Sequence, residues 1–338
     1  MNNFCQFLSA FLFNHIKFSI SITGFCLNLI NIIIFIKINR LKTQSNDNFF
    51  KYLLIKSICD CYVMAFGVIF GVLDIYYNQT IVQKYYELCF FRWIFDEYLC
   101  FVCQLISMFC EVASSFNRYR SITMKYQFLN KISFKFKLLF ILIYCFGFYT
   151  YKYVQKKCNF SKSGNSTIVK LEIPAGFFNS PTDFGISLTH GLIRDGLCSV
   201  IIIILNLLTF IYMNEFFTNK IELHGRTVNI KIERAQKNLT YMVFSTSCFT
   251  LIGHLLMFVY YLPFQVIGSN RCLRSFSLLF FYFSFSINAL FYYIFNLHYK
   301  NLIKKYLCTL IEFISFNYIK FNQTKKIKYE NTIKTTNF

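Results

Sequence analysis

Charged residues, proline and tryptophan are scarce in this chain of 338 residues. Only 15% of the residues are charged, whereas 56% are hydrophobic and 21% aromatic, and a soluble globular domain does not need so apolar a composition. Three prolines and twelve glycines leave little room for a disordered or low-complexity segment, and no internal repeat of about 20 to 50 residues is visible. The composition therefore predicts a single domain that contacts lipid.

The cysteines do not have the pattern of a disulfide scaffold. Most of the fourteen lie inside apolar stretches, where a free thiol behaves as a small hydrophobic side chain. Cys100 and Cys103 have the spacing Cys-x-x-Cys, but one such pair inside an apolar helix indicates packing rather than a zinc or redox site. Residues 1–15 lack the basic start and the cleavage site of a signal peptide, so we expect the first apolar stretch to act as an uncleaved signal.

The positive charge is large but dispersed. A net charge of +20 could neutralise the phosphates of a nucleic acid. The basic residues instead occur in short bursts between apolar stretches, for example in 37–51 and 125–137, as they do in the loops of membrane proteins. Membrane lipid is therefore an expected partner, and nucleic acid is not.

Seven apolar stretches are long enough to cross a bilayer, which takes about 20 residues in a helix. A membrane span must be helical here, because an isolated strand cannot satisfy its backbone hydrogen bonds in lipid. The sequence predicts an all-α membrane protein with a seven-transmembrane helix bundle in 18–297, an N-terminal segment in 1–17 and a basic tail in 298–338. The predicted spans are 18–38, 50–75, 89–116, 136–154, 187–214, 240–264 and 275–297.

The distribution of Lys and Arg predicts the orientation of the bundle. If the N-terminus is extracellular, the cytoplasmic segments hold 23 of the 35 basic residues and the outer segments hold 10. Cytoplasmic loops are normally richer in Lys and Arg, so this orientation is the expected one. We therefore predict a multi-pass plasma-membrane protein with an extracellular N-terminus and a cytoplasmic C-terminus.

The glycosylation sequons agree with this orientation. Asn78, Asn159 and Asn165 each begin an Asn-x-Ser/Thr sequon in a predicted outer loop, where glycosylation is possible. Asn238 and Asn322 begin sequons on the cytoplasmic side and are expected to stay unmodified. The sequence therefore predicts a glycoprotein.

Polar residues lie at membrane depth in the first three spans. Asn28 lies in the first span and Asp60 in the second, and an ionisable side chain in the bilayer is costly enough to suggest a function. At the cytoplasmic end of the third span, Asn117, Arg118 and Tyr119 occur in succession.

A further motif joins the seventh span to a predicted surface helix. Asn288 and Tyr292 lie near the cytoplasmic end of this span. Lysine then alternates with apolar residues in 298–307, which predicts a short amphipathic helix on the anionic inner leaflet. Cys308 follows at a position where palmitoylation is plausible.

These motifs, in this order and spacing, resemble those of the rhodopsin-like (class A) G-protein-coupled receptors. The resemblance covers 21–308 and is to divergent branches such as the invertebrate chemosensory and FMRFamide-type receptors. The departures from the family pattern include three motif positions: Asn117 replaces the acid of Asp-Arg-Tyr, Ala289 replaces the proline of Asn-Pro-x-x-Tyr, and His254 lies where a Cys-Trp-x-Pro switch is usual. We therefore expect a divergent receptor.

The resemblance implies a receptor that transmits the binding of an extracellular peptide or small chemosensory molecule to a cytoplasmic heterotrimeric G protein. It implies neither an enzyme nor a cofactor, apart from an allosteric sodium ion at Asp60. Because Asn117 cannot form the usual ion pair with Arg118, we expect raised basal signalling. The implied activation switch comprises Asn117, Arg118, Tyr119, Tyr212, Asn288 and Tyr292. The implied sodium pocket comprises Asn28, Asp60, Ser107, Ser284 and Asn288.

Helical spacing, together with the helix arrangement that the resemblance implies, predicts an ion pair that is particular to this chain. Residues four apart share a helix face, so Lys56 lies beside Asp60 and Ser107 beside Glu111. A buried Lys and a buried Glu are each costly unless they are paired, which favours a Lys56–Glu111 pair as an inner gate. The alternative is that Lys56 extends to the cytoplasmic surface and Glu111 is protonated.

The outer half of the implied receptor contains a disulfide and a ligand pocket. Family resemblance suggests that Cys89 pairs with Cys158, although Cys89 precedes Arg118 by 29 residues, about one helical turn more than is usual in the family. Depth in the bilayer suggests the pocket residues, which are Asp96, Glu97, Arg194, Asp195, His254 and Phe280.

A multi-pass transporter or channel subunit is the alternative function. A transporter tends to show an internal repeat or matched broken helices, and a channel tends to show a polar pore-lining stripe or a re-entrant filter. The sequence shows none of these features. An intramembrane enzyme would need a convergent polar set, and His190 and His254 have no evident partners in the sequence.

Overall fold

The computed structural model describes the seven predicted spans as helices. It covers the backbone of residues 15–41, 48–76, 86–123, 125–155, 157–163, 166–172, 181–224, 229–261, 271–309 and 312. Within this described part, seven helices are long and apolar enough to cross a membrane. The predicted seven-helix bundle is therefore confirmed, and the chain is a multi-pass membrane protein.

Five of the spans have simple boundaries or one short break. Helix α1 covers Lys17–Leu41, α2 covers Phe49–Tyr76, α4 covers Phe134–Gln155 and α6 covers Asn229–Tyr261. Helix α7 consists of Arg271–Ser286 and Asn288–Phe295, separated by one residue in a turn. Helix α6 begins before the sixth predicted span, because the helix extends well beyond its apolar part.

Helices α3 and α5 each contain a π-helical segment, in which backbone hydrogen bonds reach one residue further than in an α-helix. Helix α3 consists of Tyr86–Phe91, the π segment Arg92–Leu99 and Cys100–Thr123. Helix α5 consists of Pro181–Gly191, the π segment Leu192–Leu197 and Cys198–His224. No sequence pattern predicted either segment.

The predicted surface helix follows α7 after a one-residue corner at Asn296. The backbone of Asn296 is extended, which ends α7, and its side-chain oxygen accepts a hydrogen bond from the Tyr299 amide at 3.1 Å. This bond caps the start of helix α8, residues 297–309. Leu302 and Ile303 pack against the bundle, whereas Lys304 and Lys305 are exposed, as the amphipathic pattern predicted.

A β-hairpin lies between α4 and α5. Strand β1, Lys157–Ser163, pairs antiparallel with β2, Ser166–Glu172, so that Lys157 lies opposite Glu172. The first part of α3 contacts both strands. We call this the hairpin end of the bundle, and the opposite end, where α3 finishes, the Arg118 end. No sequence pattern predicted the hairpin.

The helices pack in a ring with α3 at its centre and α4 at its edge. Helix α3 contacts α2, α4, α5 and α6, and α7 closes the ring against α1 and α6. Only 11% of the α4 span is buried inside the protein, so most of its surface is left for lipid. At Gly253 a Cβ atom would lie 2.8 Å from the Ser284 hydroxyl and 3.1 Å from the Phe280 carbonyl oxygen, so glycine is required for α6 and α7 to approach this closely.

Candidate functional site

Four ionisable or polar side chains from α2 and α3 meet in the middle of the bundle. The Lys56 ammonium lies 3.1 Å from Asp60 Oδ2 and 3.6 Å from Glu111 Oε2, and it donates a hydrogen bond to the Ser107 hydroxyl at 3.2 Å. That hydroxyl in turn donates to Asp60 Oδ1 at 2.5 Å. Each of the four side chains is at most 2% exposed, so the charges depend on one another and not on water.

Helix α6 completes this central cluster, which we define as Lys56, Asp60, Ser107, Glu111, Thr246 and Ser247. The Thr246 and Ser247 hydroxyls donate to Glu111 Oε1 at 3.3 and 3.0 Å. The structure therefore brings together Lys56 and Glu111, as the helical spacing and the implied helix arrangement predicted. Lys56 does not extend to the surface, because its ammonium is held between α2 and α3.

The predicted sodium pocket is not assembled around Asp60. Of its other four members, Ser107 alone hydrogen-bonds to this carboxylate in the described part of the chain. The Asn28 amide donates to the Gly24 and Phe285 carbonyls at 2.9 and 3.1 Å, and the Ser284 hydroxyl donates to the Phe281 carbonyl at 2.7 Å. The Lys56 ammonium, 3.1 Å from Asp60 Oδ2, already supplies a cation to this carboxylate, so these residues do not fit a sodium site.

Asn288 is the remaining member of that set. It is buried, and neither its amide nitrogen nor its carbonyl oxygen has a hydrogen-bond partner among the described residues. Buried polar atoms of this kind are normally bonded to a side chain or to ordered water. Asn288 therefore has unused hydrogen-bonding capacity in this arrangement of helices.

A second polar cluster lies closer to the hairpin end. Arg194 donates to both oxygens of Asp195, at 2.8 Å from Nε and 2.7 Å from Nη2, and its Nη1 donates to Gln104 Oε1 at 2.8 Å. His254 Nδ1 lies 2.6 Å from Asp195 Oδ1. We call these four residues the Arg194 cluster. It links α3, α5 and α6, and all its members are buried.

Aromatic rings surround the Arg194 cluster and separate it from the central cluster. The Arg194 guanidinium lies 5.4 Å from the Phe101 ring and 5.8 Å from the Phe281 ring. Phe285 lies between the clusters, with its ring centre 6.0 Å from that of His254 and 5.9 Å from the Lys56 ammonium. The two clusters are therefore adjacent layers of one polar core.

The predicted ligand-pocket residues fall into two groups. Arg194, Asp195 and His254 come together in the buried cluster. The contacts among them were not predicted from the sequence, and neither was the presence of Gln104 in the cluster. Asp96, Glu97 and Phe280 do not join it: Asp96 lies 3.7 Å from Arg92 with both side chains about 30% exposed, Glu97 is partly exposed, and Phe280 is 43% exposed at the bundle surface. The rotation of α7 turns Phe280 outward.

At the Arg118 end, Arg118 connects α3 to α6. Its Nε and Nη2 donate to the Thr240 hydroxyl at 3.1 and 2.9 Å, and the side chain is only 3% exposed. Asn117 accepts a hydrogen bond from Arg120 at 3.0 Å. Arg118 thus bonds to an uncharged side chain on the neighbouring helix. This contact was not predicted from the sequence, because a threonine in an apolar helix gives no distinctive signal.

Two tyrosines of the predicted activation switch contact each other in this structure, and the third packs against a residue outside the switch. The Tyr212 ring lies beside the Tyr119 ring with 6.2 Å between ring centres, and the Tyr292 ring packs edge-on against Phe35 with 5.1 Å between ring centres. Tyr299 lies beside Tyr292 and donates its hydroxyl to Asn31 Oδ1 at 2.5 Å. Burial raises the pKa of the Tyr299 phenol, so this group remains a neutral donor that links α8 to α1.

Several predicted modification sites lie at the edges of the described structure. Cys89 is buried and is not among the free thiols, and its helix contacts the strand that carries Cys158. Cys308 is an exposed free thiol on α8. The side chains of Cys158 and of the three outer sequon asparagines, Asn78, Asn159 and Asn165, lie outside the described residues, so their modification stays a prediction.

Comparison with known proteins gives no family. No protein-family model matches the chain, and no curated protein matches it. A functional proposal therefore rests on the geometry of the polar core and of the Arg118 end.

Proposed function

We propose that this chain is a receptor that couples an extracellular ligand to a heterotrimeric G protein through the Arg118 end. The observation that carries the proposal is the position of Arg118, which is buried on α3 and held against α6 by the Thr240 hydroxyl. A hydrogen bond to a charged group contributes about 1.5–3 kcal/mol. Such a contact can be broken by ligand binding, which would expose Arg118 to a cytoplasmic partner.

The polar core offers a route from a ligand to that end. Helix α6 is bonded to α5 through His254, to α3 at mid-depth through Ser247, and to α3 again through Thr240. A ligand that binds two arrangements of α6 with different affinity shifts their populations. Movement of α6 in the Arg194 cluster would therefore change the contact at Arg118.

The proposed orientation puts the Arg118 end in the cytoplasm of a cell-surface receptor. The excess of Lys and Arg in the segments at this end supports it, as do the outer sequons. In this orientation a Cys89–Cys158 disulfide would join α3 to the hairpin in an oxidising compartment. Palmitoylation of Cys308 would fix α8 to the inner leaflet.

The direct test is agonist-independent signalling in cells that express the chain, read with a panel of G-protein activation sensors. We expect basal activity from one sensor, and Arg118→Ala is expected to abolish it because the proposed effector contact is lost. Arg92→Ala makes the same chemical change at the hairpin end, where Arg92 is partly exposed, and is expected to keep the activity. Equal signalling by both variants at equal surface levels would contradict the proposal.

Loosening the Arg118 contact is expected to have the opposite effect. Thr240→Val removes the accepting hydroxyl with little change in shape, so basal signalling is expected to rise by about tenfold, the equivalent of about 1.4 kcal/mol. The matched control is Thr209→Val, since the buried Thr209 hydroxyl bonds to the Leu205 carbonyl of its own helix. A sensor signal that changes equally in both variants would show that Thr240 does not restrain Arg118.

A transporter or channel subunit is the second candidate, and the central cluster favours it. Ionisable residues inside a membrane often mark a path for protons, ions or solutes. Purified protein in liposomes would then carry a proton or solute flux that Glu111→Gln abolishes. Such a flux, together with silence of all G-protein sensors, would replace the receptor proposal.

A further inference from the structure

A groove on the outer wall of the bundle is not explained by the proposed receptor mechanism. It lies between α3, α4 and α5 and has a volume of about 370 Å³. Its nine lining residues include no charged side chain, and Tyr144 supplies the only hydroxyl. The volume falls within the range of ligand pockets, roughly 300–1,000 Å³.

The position of the groove limits what can reach it. All its lining residues belong to the spans Glu87–Thr123, Phe134–Tyr151 and Leu188–Met213. Two of them, Phe140 and Leu197, are 69% and 52% exposed on the wall that faces lipid. At this depth the surrounding medium is hydrocarbon, so the occupant must arrive through the bilayer and be uncharged where it binds.

The base of the groove is part of the segment that carries the Arg194 cluster. Ile193 and Leu197 line the groove, whereas Arg194 and Asp195 are buried on the inner side of the same π-helical turns, Leu192–Leu197. A bound ligand would therefore contact one side of this segment, and the other side of the segment bonds to α3 and α6 through the Arg194 cluster. π-Helical segments are often located at functional sites, which agrees with this connection.

We infer that the groove binds the hydrocarbon chain of an uncharged, lipid-soluble ligand, and that its occupancy shifts the Leu192–Leu197 segment and with it the Arg194 cluster. The uncharged lining and the depth in the membrane favour a hydrocarbon chain as the bound group. Tyr144 can form one hydrogen bond with a hydroxyl or ester group of the ligand. The binding step stands on the groove alone. The signalling step rests on the proposed receptor function.

Photolabelling of the purified full-length protein in phospholipid nanodiscs tests the binding step. The probe is a palmityl alcohol with a mid-chain diazirine and a terminal alkyne, and labelled peptides are mapped by mass spectrometry. We expect saturable labelling of α3, α4 and α5 around the groove that excess unlabelled palmityl alcohol prevents. Labelling spread evenly over all lipid-facing helices and unaffected by competitor would overturn the inference.

A matched pair of variants tests the site. Ile201→Trp fills the groove and is expected to reduce labelling there by about tenfold or more. Ile211→Trp makes the same change on the same helix, where Ile211 is 65% exposed to lipid, and is expected to leave labelling unchanged. Val112→Phe provides a second filled groove if Ile201→Trp does not fold, and equal labelling of the filled and control variants would overturn the site.

Signalling by the same variants separates the two steps. If Ile201→Trp changes basal sensor activity and Ile211→Trp does not, the groove is coupled to the Arg118 end. If labelling is specific but neither variant changes the activity seen in the parent chain, the coupling through Leu192–Leu197 is overturned while the binding site stands. If the parent chain has no sensor activity, the receptor proposal fails and the photolabelling result still decides the site.

Discussion

Replacement of Lys56 with methionine is expected to destabilise the protein by about 3–5 kcal/mol, the usual cost of breaking a buried ion pair on one side. The Lys56 ammonium lies within 3.6 Å of both Asp60 and Glu111, and none of the three is more than 2% exposed. Without it, two carboxylates would remain close together in the membrane with no cation. The measurement is the thermal unfolding midpoint of the purified protein, together with the amount that reaches the cell surface.

Two comparisons separate this effect from a general loss of packing. Lys51→Met makes the same change on the same helix at the Arg118 end, where Lys51 bonds to the Asn48 side chain, and is expected to cost about 1 kcal/mol or less. The triple variant Lys56→Met, Asp60→Asn, Glu111→Gln removes all three charges and is expected to recover most of the stability. A destabilised triple variant would show that Lys56 matters for its shape and not for its charge.

The exchanged pair Lys56→Glu with Glu111→Lys tests the partnership of these two residues directly. If their charges compensate each other, the double variant is more stable than either single variant. The presence of Asp60 beside position 56 limits the recovery, because a glutamate there faces another carboxylate. Failure to exceed either single variant, even with Asp60→Asn added, would contradict the pair.

Asp195→Asn is expected to have a comparable effect in the Arg194 cluster. Asp195 accepts both hydrogen bonds of the Arg194 fork and the contact with His254 Nδ1, and its side chain is fully buried. An asparagine offers one acceptor and no charge, so a buried guanidinium loses its counter-ion. The expected loss is about 3–5 kcal/mol in the free energy of unfolding, read from the thermal midpoint in detergent.

The control for this change is Asp96→Asn. Asp96 also pairs with an arginine, Arg92, but at 3.7 Å with both side chains about 30% exposed. Exposed pairs contribute about 0–1 kcal/mol, so the midpoint is expected to move little. The double variant Arg194→Met, Asp195→Asn removes the charge that Asp195→Asn leaves unpaired and is expected to recover part of the loss. Equal midpoints for Asp195→Asn and Asp96→Asn would mean that burial of the cluster does not determine its stability.

The sequence predicts the fold well because the bilayer reduces the problem to length and polarity. Each span needs a long apolar run, and the backbone in lipid has no alternative to the helix except a closed barrel. The pairing of Lys56 with Glu111 could also be predicted, because spacing of four shows which residues share a helix face and the family resemblance implies that these two faces meet. The spans depend on the local composition, whereas the pairing also depends on the implied arrangement of α2 and α3.

The Arg194 cluster could not be predicted from the sequence in the same way. Arg194 and His254 lie on different helices, and their meeting depends on the rotation of α5 and α6 about their axes. The π-helical segment Leu192–Leu197 changes that rotation, and no sequence pattern predicted the segment. The same uncertainty explains why Phe280, chosen for its depth, lies on the outer surface of α7.

Asn296 forms a rigid connection between α7 and α8. Its backbone amide donates to the Tyr292 carbonyl at 3.0 Å, its carbonyl accepts from the Lys300 amide at 2.9 Å, and its side chain caps α8. Because no flexible residue separates the two helices, a tilt of the last turns of α7 must also move α8. Tyr299 also bonds to Asn31 on α1, so this hydrogen bond would have to break before α8 could move. The lysines on α8 would then move furthest along the membrane surface.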